Sequence, residues 1–151
     1  MRVLVQRCKQ SSVSVSGKIV GKIPFGMVLL VGFTEHDSLE DIDFLVDKII
    51  NLRIFDDEKG VMNLSLLDVG GSILSISQFT LYADTKKGRR PSYQNALKGE
   101  CAIHLYDQFN KKLKEKVPVE TGIFGEDMMV SIQNNGPVTI LLESEKFYDK
   151  K

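Results

Sequence analysis

Met27-Val28-Leu29-Leu30-Val31-Gly32-Phe33 is the stretch on which the fold turns. A continuous apolar run of this length reads as a buried strand and is far too short to cross a bilayer. On its N-terminal side Val3 and Val5 alternate with polar neighbours, as do Val13 and Val15. Ser16-Gly17 then predicts a turn into a further strand over 19–23. On its C-terminal side Ser38 and Asp41 form an S-x-x-D capping pattern. Behind it Leu39, Ile42, Leu45, Val46, Ile49 and Ile50 recur at helical spacing, with acidic residues at the start where the helix dipole favours them.

The rest of the chain repeats this alternation. Asp57 to Gly60 reads as a turn, and Ile73 to Leu81 as another strand entered through Gly70-Gly71. A second helix follows Pro91, with Ala102, Leu105, Tyr106, Phe109 and Leu113 on its apolar face and Pro118 as its stop. Strands return near 128–133 and 138–142. Many strands around two helices predict an α+β fold with a mostly antiparallel sheet or barrel. No linker or repeat divides the chain, so residues 1–151 read as a single domain.

Composition narrows the function classes. Twenty basic residues balance twenty acidic ones, which argues against a protein that coats nucleic acid nonspecifically but leaves room for a local RNA-binding patch. Cys8 and Cys101 form no CxxC pair; one disulfide is arithmetically possible, and two separate thiols in a reducing cytosol fit better. Arg2, Gln6, Arg7, Lys9 and Gln10 interrupt the N-terminal segment, which does not read as a signal peptide, and a cytoplasmic protein without a membrane partner is expected.

Standard catalytic patterns are mostly missing. His36 and His104 stand outside any ligand-spaced cluster, so neither a metal nor a cofactor is expected. Three segments carry unusual chemistry. In Ser77-Gln78-Phe79-Thr80-Leu81-Tyr82-Ala83-Asp84 the hydroxyls of Ser77 and Thr80, the amide of Gln78 and the ring of Phe79 gather where a buried strand ends; this is either an ordinary strand end or a site. Asn134-Asn135-Gly136-Pro137-Val138-Thr139 suits a turn between strands. Lys86, Lys87, Arg89 and Arg90 form either a solvated loop or a phosphate clamp. Lys111, Lys112, Lys114 and Lys116 extend that patch or offset the helix dipole.

Taken together these segments resemble the D-aminoacyl-tRNA deacylases, historically D-Tyr-tRNA deacylases. The resemblance covers essentially the whole chain, from Met1-Arg2-Val3-Leu4-Val5-Gln6-Arg7 onward. Its most specific parts are Ser77-Gln78-Phe79-Thr80-Leu81, Lys87-Gly88-Arg89-Arg90-Pro91-Ser92 and 134–139. It implies a β-barrel-like sheet with two flanking helices and a homodimer with active sites at the subunit interface. It also implies that Ser77 to Thr80 line the pocket for the aminoacylated 3′-terminal adenosine of tRNA. Gly136-Pro137 would be cis and inserted from the partner subunit, with Arg7 supporting that loop. Where the family often has Asp before Gly-Pro, this chain has Asn135, which leaves a role for that carboxylate open.

The implied partner is tRNA rather than DNA, and the implied reaction is hydrolysis of an aminoacyl ester. The resemblance points to a substrate-assisted route, in which the free 2′-hydroxyl of the adenosine helps activate water. Ser77, Gln78, Phe79 and Thr80 then position the ester, and rigid Gly136-Pro137 excludes L side chains while D-amino acids and achiral glycine pass. Three other readings remain at this stage: Thr80 as a covalent nucleophile, an RNA-binding module built on Lys86 to Arg90 without turnover, and a dimeric interaction protein with neither property.

Overall fold

The computed structural model describes residues 1–146. The chain runs through β1 (Arg2–Cys8), β2 (Ser11–Val15), β3 (Lys18–Ile23), β4 (Gly26–Gly32), α1 (Leu39–Asn51), β5 (Phe55–Asp56), β6 (Met62–Leu64), α2 (Leu66–Val69), β7 (Ser72–Ser77), α3 (Gly99–Lys114), β8 (Val119–Thr121), β9 (Met129–Ser131) and β10 (Asn134–Glu143).

A five-stranded sheet in the order β10-β1-β4-β7-β8 faces a three-stranded sheet, β3-β2-β9. The fold is thus α+β with mostly antiparallel pairing. The two sheets remain open and share no ladder among the described residues. Among the described residues, parallel pairing is confined to β4 with β7 and β7 with β8. Parallel neighbours need long crossovers, and those crossovers hold α1 and α3.

The apolar run at 26–32 is buried on both sides because both faces of the sheet are covered. Met27, Leu29 and Val31 join Val3, Val5 and Ile73 under α1 and α3, where Ile42, Leu45, Ile49, Phe109 and Leu113 complete the larger core. Val28, Leu74 and Ile76 face the other way and pack with Cys8, Val13 and Ile23 between the sheets. Alternation along a strand separates these two sets. Cys8 and Cys101 are free thiols, the first buried and the second exposed. No helix among the described residues is long and apolar enough to cross a membrane.

The helix signals act as read. The Ser38 N–H donates to Asp41 Oδ2 at 2.9 Å, closing the cap of α1. Ser65 and Asp68 repeat the same pattern at α2, a helix too short to show a periodicity in the sequence. The Ser16-Gly17 turn has positive φ at both residues, 50° and 81°.

Two segments depart from expectation. The strand expected to reach Leu81 stops at Ser77, and Phe79–Tyr82 forms a 3-10 turn. Gln78 makes the last ladder bond, N–H to Val31 O at 2.7 Å, because β4 ends one residue later at Gly32. The turn folds over that glycine: a Cβ there would lie 2.9 Å from Gln78 O and 3.2 Å from Leu81 Cβ. The second departure is at 134–137. The expected turn lies inside β10, opposite a register irregularity in β1 between Gln6 and Cys8. Asn134 braces the segment from within, its Oδ1 accepting the Val138 N–H at 2.8 Å and its Nδ2 donating to Thr139 Oγ1 at 3.0 Å.

Candidate active site

The end of β7 opens into a cleft of about 460 Å³. Val31, Gly32 and Ser77 form its floor, and Gln78 and Phe79 its near wall. Tyr93 stands on one rim, and Lys98 and Ala102 at the start of α3 face Phe124 on the other. The segment leading to α3 is held against the end of β4: Leu97 N–H donates to Phe33 O at 3.0 Å, and Thr34 Oγ1 to Asn95 O at 2.5 Å.

Phe79 is 57% exposed despite its size. Its ring meets Tyr93 edge-on, with centroids 5.2 Å apart and planes at 74°. Two rings in this geometry make a firm apolar edge to a wet cleft. Thr80 lies beside the cleft rather than in its lining. Its Oγ1 is taken by Gln78 Nε2 at 2.5 Å, an amide donor and not a base. The first internal bond of the 3-10 turn runs from Leu81 N–H to Gln78 O. The N–H groups of Phe79 and Thr80 precede it, and donors of this kind are left for a ligand or water. Arg2 anchors the far side of the turn, donating from Nη1 to Leu81 O at 2.7 Å and lying over the Tyr82 ring. Burial pushes the Tyr82 hydroxyl far above the ordinary phenol range.

The lining is poor in ionisable groups. Among the described residues the lining holds Lys98 and Tyr93 and no carboxylate, imidazole or thiol. His36 and His104 are exposed and away from the lining. The cleft can therefore hold and orient an aromatic or apolar group beside backbone donors. It brings no residue suited to general base catalysis at neutral pH.

The cationic run sits close by. Asp84 and Ser92 pair by two backbone bonds of 2.7 and 2.8 Å and close an exposed loop that carries Lys86, Lys87, Arg89 and Arg90. Tyr93, on the cleft rim, follows directly. No ion pair among the described residues engages these four cations.

Gly136-Pro137 is a cis peptide, exposed, with Gly136 at φ 143°. Arg7, 8% exposed, donates from Nε to Asn135 O at 2.7 Å and from Nη1 to Ile54 O at 2.8 Å, with Asp56 at 3.4 Å. Within one chain this loop is not brought to the cleft. Asn134 pairs with Cys8, Cys8 with Gly26, and Gly26 with Ser72, whereas the cleft opens at Ser77 beside Val31. The two features lie at opposite ends of the sheet, roughly 17 Å apart along the strands at the usual rise per residue.

Tyr93, Lys98 and Phe124 escaped the sequence reading as site residues. Tyr93 had a signal, an aromatic directly after the cationic run. Phe124 and Lys98 reach the cleft only through the docking of α3.

The family model for D-Tyr-tRNA(Tyr) deacylase matches residues 4–143. A D-aminoacyl-tRNA deacylase of Anoxybacillus flavithermus (strain DSM 21510 / WK1) is 58% identical over 146 residues, which is 96% of this chain and 100% of the relative. Among solved structures, one described as c-Myc DNA Unwinding Element Binding Protein superposes with a TM-score of 0.90 at 38% identity, covering 95% of this chain and 98% of that one. A probable eukaryotic D-amino acid tRNA deacylase shares the fold, with a TM-score of 0.79 at 20% identity over 93% of this chain and 97% of its own. The chain belongs to the D-Tyr-tRNA(Tyr) deacylase family and is a hydrolase of that kind.

Proposed function

We propose that the protein is a cytoplasmic homodimeric chiral editor, in which each cleft seats the 3′-terminal adenosine and its D-aminoacyl ester and is closed by the Gly136-Pro137 loop of a second copy. One observation carries this reading. The loop braced by Arg7 and Asn134 and the cleft at Ser77–Phe79 stand at opposite ends of one sheet. A loop built to meet the ester can then act only on another copy's cleft.

The chemistry follows from what the cleft contains. With no carboxylate or imidazole among the described lining residues, the substrate's free 2′-hydroxyl takes a proton from the water that attacks the ester carbonyl as it passes its own to the departing 3′-oxygen, releasing the amino acid and the tRNA 3′-hydroxyl. The protein contributes orientation through Ser77, Gln78, Phe79 and Thr80, a factor that reaches ~7–11 kcal/mol in favourable cases. Backbone N–H groups at the start of the 3-10 turn support the developing oxyanion. Chirality is read by exclusion: a rigid backbone wall at Gly136-Pro137 blocks an L side chain. D side chains of many kinds are accepted, and glycyl-tRNA, with no side chain to block, is hydrolysed too. Lys86, Lys87, Arg89 and Arg90, exposed beside the rim, contact tRNA phosphates.

Deacylation of D-tyrosyl-tRNA beside L-tyrosyl-tRNA, with chelator present, tests this reading. Fast loss of the D-ester with the L-ester spared is the expected result. Equal loss of both would leave a hydrolase without the filter. Binding of tRNA without loss of either ester would sink the reading in favour of an RNA-binding module. A monomeric mass by analytical ultracentrifugation, in a fully active sample, would remove the shared site.

A further inference from the structure

A second cleft, of about 570 Å³, runs along α3 beside the first. One face of the helix lines it, with Tyr106, Asp107, Asn110, Lys111 and Lys114, opposite Ile123 and Phe124. Phe124 borders both clefts, and the helix residues of the second follow Lys98, Gly99 and Ala102 of the first. The two spaces are therefore neighbours along one helix, sharing Phe124. Ala102 and Asn110 are separated by roughly 12 Å of helix at the usual rise, a span that one or two nucleotides of an extended strand cover.

The charges here are set apart from the rest of the helix. Lys112 turns to α1 and pairs with Asp43. Lys111 and Lys114 are exposed on the cleft side and make no ion pair among the described residues. A general role in offsetting the helix dipole would not require a cleft beneath them. Asn110 is 6% exposed, and its Oδ1 has no hydrogen-bond partner among the described residues. Buried amide oxygens are nearly always satisfied. Phe124 and the 44% exposed Ile123 supply the apolar wall opposite. Cations at the rim, an aromatic wall and carbonyl or carboxylate acceptors are the parts of a single-strand nucleotide subsite.

We propose that this cleft binds the nucleotide preceding the terminal adenosine of the tRNA, with its phosphate on Lys111 and Lys114 and its base against Phe124 and Ile123. Asp107, exposed on the cleft side, provides an acceptor for a base amino group. The assignment rests on the reading that the first cleft seats the terminal adenosine. It gives the acceptor strand a path along α3.

The test compares two substrates, D-tyrosyl-tRNA and the 3′-D-tyrosyl ester of adenosine, which lacks the preceding nucleotide. With Lys111→Gln and Lys114→Gln combined, KM for the tRNA should rise about tenfold with kcat unchanged, and the salt dependence should become shallower by about one phosphate contact. The adenosine ester should be hydrolysed as by the parent protein. Lys112→Gln, which removes the same charge from the same helix, should leave both substrates unaffected. An unchanged KM for tRNA in the double variant would overturn the subsite, as would an equal loss on both substrates or an equal effect of Lys112→Gln. Failure of the parent protein on the adenosine ester, with tRNA hydrolysed, would instead overturn the seating of the adenosine on which the subsite rests.

Discussion

Arg7 Nε donates to the carbonyl oxygen of Asn135 across 2.7 Å, tying a buried strand to an exposed loop. The same guanidinium serves Ile54 O at 2.8 Å from Nη1. Arg7→Ala would strip both carbonyls of their donor, at about 1–3 kcal/mol for each group left unsatisfied. A stability loss of about 2–4 kcal/mol is expected in urea unfolding, together with at least a tenfold fall in D-tyrosyl-tRNA turnover. Arg7→Lys, which cannot reach both carbonyls in the same fork, should recover part of the stability. Asp56, whose side chain is half exposed at 3.4 Å, contributes little to this anchor. Full turnover in Arg7→Ala would show the anchor to be idle.

Gly136 has φ 143°, a conformation that L residues rarely adopt. A Cβ there would meet Val138 Cγ2 at 2.8 Å, Val138 N at 2.9 Å and Arg7 Nη2 at 3.1 Å. Gly136→Ala should therefore move the loop rather than the core. Backbone strain of this kind costs about 1–3 kcal/mol, and an exposed segment escapes it by local rearrangement. The expected pattern is a thermal midpoint close to that of the parent protein with discrimination between D- and L-tyrosyl-tRNA reduced at least tenfold. Unchanged discrimination would separate this loop from selectivity.

Thr80 Oγ1 accepts from Gln78 Nε2, an interaction that draws electron density away from the hydroxyl oxygen. A nucleophile needs an adjacent base, and the cleft lining has no carboxylate or imidazole. Thr80→Ala should slow deacylation by about ten- to hundredfold through misplacement of the turn, worth about 1.4–2.7 kcal/mol. Thr80→Ser should restore most of it. Total loss in Thr80→Ala, with an acyl-protein trapped in rapid quench of the parent, would mark Thr80 as the nucleophile instead.

Asp57 and Asp68 lie below the ordinary carboxylate range. At Asp57 the Val61 N–H is the main cause, followed by the Lys59 N–H; at Asp68 the Ser65 N–H leads, with the Ser65 hydroxyl second. A carboxyl held lower in the folded state stabilises the fold above its unfolded pKa, near 4. That contribution fades as pH falls through the folded value. Asp68→Asn should therefore lower the urea midpoint at pH 6 and converge with the parent once the pH has fallen below the depressed folded-state value. A gap between the two proteins that stays constant with pH would show that the cap works through its shape and not its charge.

Much of this architecture is legible in the chain before any coordinates. The apolar run at 27–33, the Ser38 cap and the apolar face of α3 each carry their period and punctuation locally. What is not local is not legible. A run such as Ile73–Leu81 has the same composition whether it continues as a strand or turns over. The end of β4 and the bare backbone of Gly32 decide it, and both lie more than forty residues upstream. Parallel pairing of β4 with β7 leaves no mark on either strand beyond burial. At 134–137 the turn-forming residues were visible, but the brace from Asn134 to Val138 inside a strand was not. Of the site, the motif segments were readable because their chemistry is concentrated. Phe124 and Lys98 were not, because each is ordinary where it stands in the sequence.

The pairing of β1 with β10 joins residues 2–8 to residues 134–143, so the first strand synthesised waits for the last. Until β10 docks, β1 shows an unpaired edge of the kind that recruits other strands. Contacts this distant in sequence also form slowly. A chain released early from the ribosome would thus be adhesive as well as incomplete. The Gly136-Pro137 loop arrives on the same strand that closes the edge, so a chain cut short of that loop also lacks the strand that would cover β1.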